Sequence, residues 1–422
     1  MKRKHKLSYF APAGARAYLG GTLVAGLAAG SAHGQAPGDS RFDKLEQENA
    51  ALRKRLDALE VVMQKEGISP ANSPNFVKGL TQTTISGFVT ASYFYDFSEP
   101  NDNISNGYLW NQQHNNFTLN KFKLTLASPA AERSGEKWSA GYRASLILGD
   151  DAPIVNTGGN TQGLEDLREA YVELNVPLGT GLNVKAGQLI SLLNFESGDG
   201  GAVNPNFSQG NQWFFTGNGP ATGVQLGYGF TDAVDLKVRV QNGMFTGFQD
   251  NNGFKTFMGS LGVKPTPKLA MSFIGFGGRE GTATDAWLKG GSFIGSLQVA
   301  EKNNINVATE IDYFNADIPG ADDTTDWWSA GVWVWGDITP TLGAAFRADY
   351  LGDNDGSGTS GLLDFPVNPG QDIFSLTFTL NIRPAPNVKI QPELRFEHTS
   401  LDGSFDGEET RVIAGAGISY LF

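Results

Sequence analysis

From about Thr83 to Phe422 the chain alternates apolar and polar residues in segment after segment. In 373–383, Phe374, Leu376, Phe378, Leu380 and Ile382 alternate with Ser375, Thr377, Thr379, Asn381 and Arg383. In 388–398, Val388, Ile390, Leu394 and Phe396 alternate with Lys389, Gln391, Glu393, Arg395 and Glu397. A two-residue period puts the two sets on opposite faces of a strand with two unlike surroundings. At the end, Val412, Ala414, Ala416, Ile418, Tyr420 and Phe422 share one face, and Ile413, Gly415, Gly417, Ser419 and Leu421 the other. The first segment, 83–97, sets Ile85, Val89, Ala91, Tyr93, Tyr95 and Phe97 against Ser86, Thr90, Ser92 and Asp96, with Phe88 and Phe94 among the latter. Further strands are predicted near 117–127, 137–149, 166–176, 182–190, 222–230, 234–242, 254–264, 269–277, 292–300, 305–314, 327–338 and 342–351. With 410–422 this makes about sixteen.

The connections alternate in length. Short turns fall near Pro177, Thr231-Asp232-Ala233, Pro265-Thr266-Pro267, Thr339-Pro340-Thr341 and Pro384-Ala385-Pro386. Longer polar loops fall near 98–116, 150–165, 190–221, 314–326, 351–372 and 399–409. An even strand number with loop length segregated by side predicts an all-β fold, a transmembrane antiparallel β-barrel over 83–422 with both ends periplasmic. A soluble sandwich or propeller has no reason to segregate its loops in this way. Sixteen strands enclose an aqueous channel, so the polar face lines water and the apolar face meets lipid. Tyr95, Phe97, Trp138, Phe230, Trp328, Trp335, Tyr420 and Phe422, near predicted strand ends, suit interfacial girdles.

The first eighty residues follow other rules. Lys2, Arg3, Lys4 and Lys6 precede an apolar stretch from about Ala17 to Gly30, and Ala32-His33-Gly34 offers a cleavage site, so 1–34 is expected to be a signal peptide. Over 40–66, Phe42, Asn49, Leu56 and Met63 recur every seven residues, as do Leu45, Leu52 and Leu59, which predicts a coiled-coil helix. In a parallel pairing Arg41 faces Glu46, Glu48 faces Arg53 and Arg55 faces Glu60. About three heptads are marginal alone; a trimeric barrel would hold the helices together. Gly, Ser, Pro and Asn then make 67–82 a linker. Past the signal no apolar run is long enough for a membrane helix, which leaves a closed barrel as the spanning structure.

Composition narrows the functions. Residues 1–34 carry five Lys or Arg and no acid, so their removal takes the net charge from -12 to about -17. That balance excludes nucleic acid as a natural partner. The chain has no cysteine, which excludes disulfides, thiolate metal sites and cysteine catalysis. No cofactor is called for.

The aromatic end, with Gly417, Tyr420 and Phe422, resembles the C-terminal signature of Gram-negative outer-membrane barrels, which the barrel-assembly machinery reads. Ile85-Ser86-Gly87-Phe88-Val89, Tyr93-Phe94-Tyr95-Asp96, Glu169-Ala170-Tyr171-Val172-Glu173-Leu174 and Val184-Lys185-Ala186-Gly187-Gln188 together resemble the OmpL-like porins, the β-barrel porin-2 family, over roughly 83–422. The resemblance implies an outer-membrane porin passing small hydrophilic solutes or ions by passive diffusion, as a homotrimer in lipid and lipopolysaccharide, with the N-terminal helix in the periplasm. The alternatives are a barrel that anchors a wall-binding coiled coil and, further off, an outer-membrane hydrolase.

By analogy with trimeric porins, the third long loop, 190–221, folds inward and narrows the pore. It carries Glu196 and Asp199, with Trp213, Phe214 and Phe215 placed to anchor it. Inward strand positions offer Arg143, Arg239, Arg347, Arg395 and Arg411. Loop carboxylates opposite wall arginines would set a transverse field that selects ions; alternatively the arginines pair with Asp349, Glu393 and Glu397. Acids crowd the later loops, at Asp317, Asp322, Asp323 and Asp326, then Asp402, Asp406, Glu408 and Glu409, giving a negative mouth or a surface bridged to lipopolysaccharide by divalent ions. Asp353, Asp355, Ser357, Gly358, Thr359 and Asp364 match a calcium-loop spacing, but Asp364 replaces the usual Glu and Ser360 the usual apolar residue. His114 and His398, the two histidines past the signal, are the candidates a hydrolase would need, with Asp402 and Asp406 near the second in sequence.

Overall fold

The computed structural model describes residues 50–55, 57–58, 82–107, 111–128, 133–155, 166–244, 246, 250, 252–280, 286–317, 324–358 and 370–422. The chain divides into two units, Met1–Ser73 and Pro74–Phe422. In the first, the described residues are helical and exposed, Leu52 among them. The signal, nearly all of both heptad series and most of the linker lie outside the described residues, as do Asp322, Asp323, Thr359, Ser360 and Asp364.

The second unit is a closed antiparallel barrel of sixteen strands. They are β1 (Thr84–Asp96), β2 (Asn116–Ala127), β3 (Ser139–Leu148), β4 (Leu167–Val176), β5 (Leu182–Leu189), β6 (Ala221–Gly229), β7 (Val234–Gln241) and β8 (Thr256–Thr266), then β9 (Leu269–Glu280), β10 (Ala286–Ala300), β11 (Ile305–Asp317), β12 (Thr325–Thr339), β13 (Leu342–Asp353), β14 (Gln371–Ile382), β15 (Val388–Thr399) and β16 (Thr410–Leu421). Each strand pairs with its sequence neighbours, and β1 pairs with β16 from Phe88↔Leu421 to Asp96↔Ile413, so no edge is left. Beyond the last pair, Gly87 and Phe422 exchange both backbone hydrogen bonds, at 2.8 and 3.0 Å.

The burial is inverted relative to a soluble protein. On β14, Ser375, Thr377 and Thr379 are fully buried while Phe374 and Phe378 are exposed. Phe117, Leu119, Val172, Phe257, Ile311, Leu394 and Ile418 are likewise exposed on the outside. Backbone pairing without an edge and an apolar outer face are what a hydrocarbon surrounding demands.

The sixteen predicted strands are all present, with local differences. β10 starts at Ala286, not near 292. Its early residues look like a loop because Gly290 and Gly291 interrupt the alternation. Gly290 instead answers close packing: a Cβ there would lie 2.1 Å from the Tyr313 carbonyl oxygen. The segregation of loop length is also looser than expected. On the turn side, 128–138 is long; the Asn175 amide donates to the Ser134 and Lys137 carbonyls and its oxygen accepts from Ser134 N. Strand β2 contains a bulge, its register with β1 slipping between Thr90↔Lys121 and Ala91↔Leu119. Asn120 and Lys121 therefore both face inward, and Lys123 and Thr125 follow them.

Of the aromatics expected in girdles, Phe97, Trp138, Phe230, Trp328, Tyr420 and Phe422 are exposed. Trp335 is not on the outside. It lies two residues from the fully buried Trp333 on the inner face of β12, its ring 5.6 Å from Phe195 of loop 190–220.

Candidate functional site

The lumen is divided by residues 190–220, which leave β5 and cross to the opposite wall. The segment is rich in Gly, Ser and Asn, and this lets its backbone lie against strands. A Cβ at Gly201 would fall 2.4 Å from the Phe207 ring, and one at Gly210 would fall 3.1 Å from Arg347. The wall is cut away to match. Gly417 of β16 faces inward beneath Phe207, whose ring would lie 1.9 Å from a Cβ placed there. Single helical turns at Gly200–Ala202 and Asn211–Phe215 complete the loop.

Polar bonds fasten this loop to β11–β15. Glu196 is the central carboxylate. Its Oε1 accepts from Trp333 Nε1 at 3.0 Å and Arg347 Nη1 at 2.9 Å, and its Oε2 accepts from Gly210 N at 2.6 Å. Arg347 also donates to Asp349 at 3.0 Å, to the Ser208 carbonyl at 2.6 Å and to Thr377 at 2.9 Å. Arg395 donates to the Gln209 carbonyl at 2.6 Å and to Glu397 at 2.5 Å. Glu393 accepts from Phe207 N, Ser208 N and Thr379. Lys389 donates to the Gly201 and Asn204 carbonyls at 2.8 and 2.6 Å. The short Ser375, Thr377 and Thr379 of β14 let the long side chains of β13 and β15 reach across them. Above this layer Phe207, Phe214 and Phe215 of the loop pack with Phe94, Ile147, Leu351, Ile373, Phe405 and Ile413. At the loop's start Leu193 packs with Met244, Met258, Ile274, Phe276, Leu288 and Phe314. The lumen wall therefore carries apolar patches beside the polar layer on which the loop is seated.

On the other side, between the loop and β2–β5, a space of about 270 Å³ remains, lined by Lys123, Arg143, Arg168, Glu169, Tyr171, Ile190, Ser197 and Asp199. Lys123 donates to Asp199 at 2.6 Å and Arg143 to Glu169 at 2.6 Å. Beside them Lys121 pairs with Asp151 at 2.8 Å and Lys185 with Glu173 at 3.7 Å. Arg143 keeps 38% of its side chain exposed, against 0% for Arg347.

Of the seven charges singled out from the sequence, Asp199 and Arg143 line this opening. Glu196 and Arg347 are an ion pair, buried away from it. Arg239 is buried and donates to Gln225 and to the Ile190 carbonyl at 2.8 Å, bracing the loop's root. Arg395 and Arg411 meet at Glu397, and Arg411 reaches the Asn106 carbonyl at 2.6 Å. Lys121, Lys123, Arg168 and Glu169 were missed. A signal for the lysines was present: apolar positions run 117, 119 and then 122, 124, 126, and this phase break marks the bulge. Tyr420 points outward, while the Phe422 ring lies 6.4 Å from that of Phe122.

The remaining candidates are dispersed. His114 is buried, its Nδ1 accepting from Asp96 N at 3.0 Å, whereas His398 Nδ1 lies 3.1 Å from the Thr410 hydroxyl. Asp406 accepts from Asn101 N at 2.9 Å. Asp353 accepts from Gly358 N and Asp355 from Asp326 N. Among the described residues, no three His, Cys, Asp or Glu converge to hold a metal.

Residues 82–420 match the family model described as "Putative beta-barrel porin-2, OmpL-like". No curated protein matches the sequence. Among solved structures, OprB of Pseudomonas putida at high pH is similar with 12% identity and a TM-score of 0.54, over 82% of this chain and 96% of that one. The anion-selective porin from Comamonas acidovorans is similar at 10% identity and a TM-score of 0.52, over 81% and 99%. The in-vitro folded trimer form of OmpT from Vibrio cholerae gives 10% and 0.53, over 81% and 99%. At such identities these likenesses speak to the fold.

Proposed function

The chain belongs to the OmpL-like β-barrel porin-2 family, and as an outer-membrane channel of that family we propose that it passes small hydrophilic solutes between loop 190–220 and strands β2–β5. The observation that carries this reading is the unequal fastening of the loop, which is bonded many times to β11–β15 but to β2 through the Lys123–Asp199 pair, and leaves the space beside Arg143 open. Lys123, Arg143 and Arg168 outnumber Glu169 and Asp199 there, favouring anions weakly, against an acidic mouth whose influence fades with salt. Passage is diffusion, with no bond made or broken by the protein.

The expected assembly is a homotrimer with the heptad helix in the periplasm, released from a signal peptide. The seven-residue repeat supports it, as does the trimeric form of the OmpT barrel. Phe422, bonded through its backbone to Gly87, is proposed as the end the assembly machinery reads; its deletion should lower the amount of assembled protein while conductance per pore is kept. Liposome swelling with sugars of graded size tests the channel. Swelling should fall steeply with solute size, and liposomes that do not swell for the smallest sugar would reject it.

A further inference from the structure

We infer that the wall behind loop 190–220 holds a divalent cation, calcium by its chemistry, between Glu310 and Asp312 of β11 and the loop residues Asn194 and Gln212. The two carboxylates stand two residues apart on one strand, so both project inward, and each is about 1% exposed. Among the described residues no Lys or Arg pairs with either. Glu310 Oε2 accepts from Phe195 N at 3.0 Å, and Asp312 Oδ2 accepts from Thr216 at 3.0 Å and Ser329 at 2.9 Å. The other two oxygens, Glu310 Oε1 and Asp312 Oδ1, are buried and accept no well-aligned hydrogen bond, although the Asn194 backbone N–H and the Ser292 hydroxyl approach the two carboxylates.

Three more side chains bring polar atoms to the same place. Gln212 is 1% exposed, and both its amide atoms are unpartnered. Its amide lies on Gly331, the residue directly opposite Glu310 on β12, so close that a Cβ would come within 1.7 Å of Nε2. Asn194 also leaves both amide atoms unpartnered; it adjoins Phe195, which donates to Glu310. Ser292, directly opposite Asp312 on β10, turns its hydroxyl to the Asp312 carboxylate. Buried polar groups are ordinarily satisfied, and two dry carboxylates side by side repel. One cation answers both conditions. Carboxylates, the Asn194 carbonyl and a hydroxyl supply oxygen donors, and Gln212 would join them by turning its carbonyl to the ion in place of the Nε2 that lies against Gly331. Calcium takes six to eight such ligands in irregular geometry, with water filling the remainder, whereas magnesium demands a near-ideal octahedron.

The ion would tie both ends of the inward loop, 194–195 and 212–216, to β11. Calcium would thereby hold the loop that sets the pore's width, a consequence that rests on the channel reading, although the site itself does not.

The test uses the full-length refolded protein in detergent, stripped with a chelator and titrated with calcium chloride by calorimetry. A saturable component is expected that weakens at least about tenfold in Glu310→Gln and in Asp312→Asn, and is kept in Glu408→Gln with Glu409→Gln on the outer loop. No saturable component, or one that survives both lumen substitutions, overturns the site. Because a variant can fail to fold, the wild-type barrel is also melted in calcium, magnesium and chelator. Calcium alone should raise Tm, and equal Tm values overturn the site. Planar-bilayer conductance separates the two readings: a conducting protein that binds no calcium overturns the site, and a calcium-binding protein that does not conduct overturns the channel.

Discussion

The two halves of the lumen carry similar residue types and use them differently. Against β13–β16, Arg347, Arg395, Arg411, Glu196, Asp349, Glu393 and Glu397 are dry and spend their bonds on the loop and on one another. Along β2–β5, Lys123, Arg143, Glu169 and Asp199 also pair, but around an open space. A dry charge in a pore is structural, because its field ends on its partner and its removal leaves that partner unpaired. A charge at the water path acts on what passes, and its removal costs the fold little. Position relative to loop 190–220 separates the two roles.

The largest effect should follow from Arg347→Ala. It leaves Glu196 and Asp349 buried without their cation and frees the Ser208 carbonyl, so a loss of about 3–5 kcal/mol is expected. Single-channel recordings should show higher and noisier conductance as the loop detaches; an unchanged trace would break the comparison. Next comes Gly417→Ala, which drives a methyl into the Phe207 ring and should cost about 1–3 kcal/mol by overpacking. Adding Phe207→Ala to it should recover most of the lost thermal stability, and a double variant no better than the single would disprove that seating.

On the open side Arg143→Gln, at a side chain 38% exposed, should change stability by no more than about 1 kcal/mol. Its signature is instead a reversal potential in a salt gradient moved toward cations, at nearly the same conductance. The smallest effect belongs to the mouth: Asp402→Asn should lower cation preference slightly in dilute salt and not at 1 M, where screening is nearly complete.

Much of the barrel was legible because alternation is local. Strand number, the face of each residue in β14 to β16 and the third long loop could be read from spacing alone. The errors share a cause, since each needed a partner distant in the chain to resolve. Gly290 and Gly291 look like a loop until Tyr313 is seen to crowd the first of them. Trp335 looks like a girdle residue until Phe195 is found against it inside. The bulge at Asn120-Lys121 was visible as a phase break, yet its effect, two lysines turned into the lumen, required the register with β1.

The sequence alone determined that this chain closes into a barrel with a lipid face and a polar lumen, because period and turn chemistry act between near neighbours. It also nominated Glu196, Asp199 and five arginines. Tertiary structure alone decided which of them meet water. Glu196 and Arg347 are 151 residues apart in the chain and 2.9 Å apart in the fold. Whether a charge lines a pore or locks a loop depends on that closure, which no local pattern encodes.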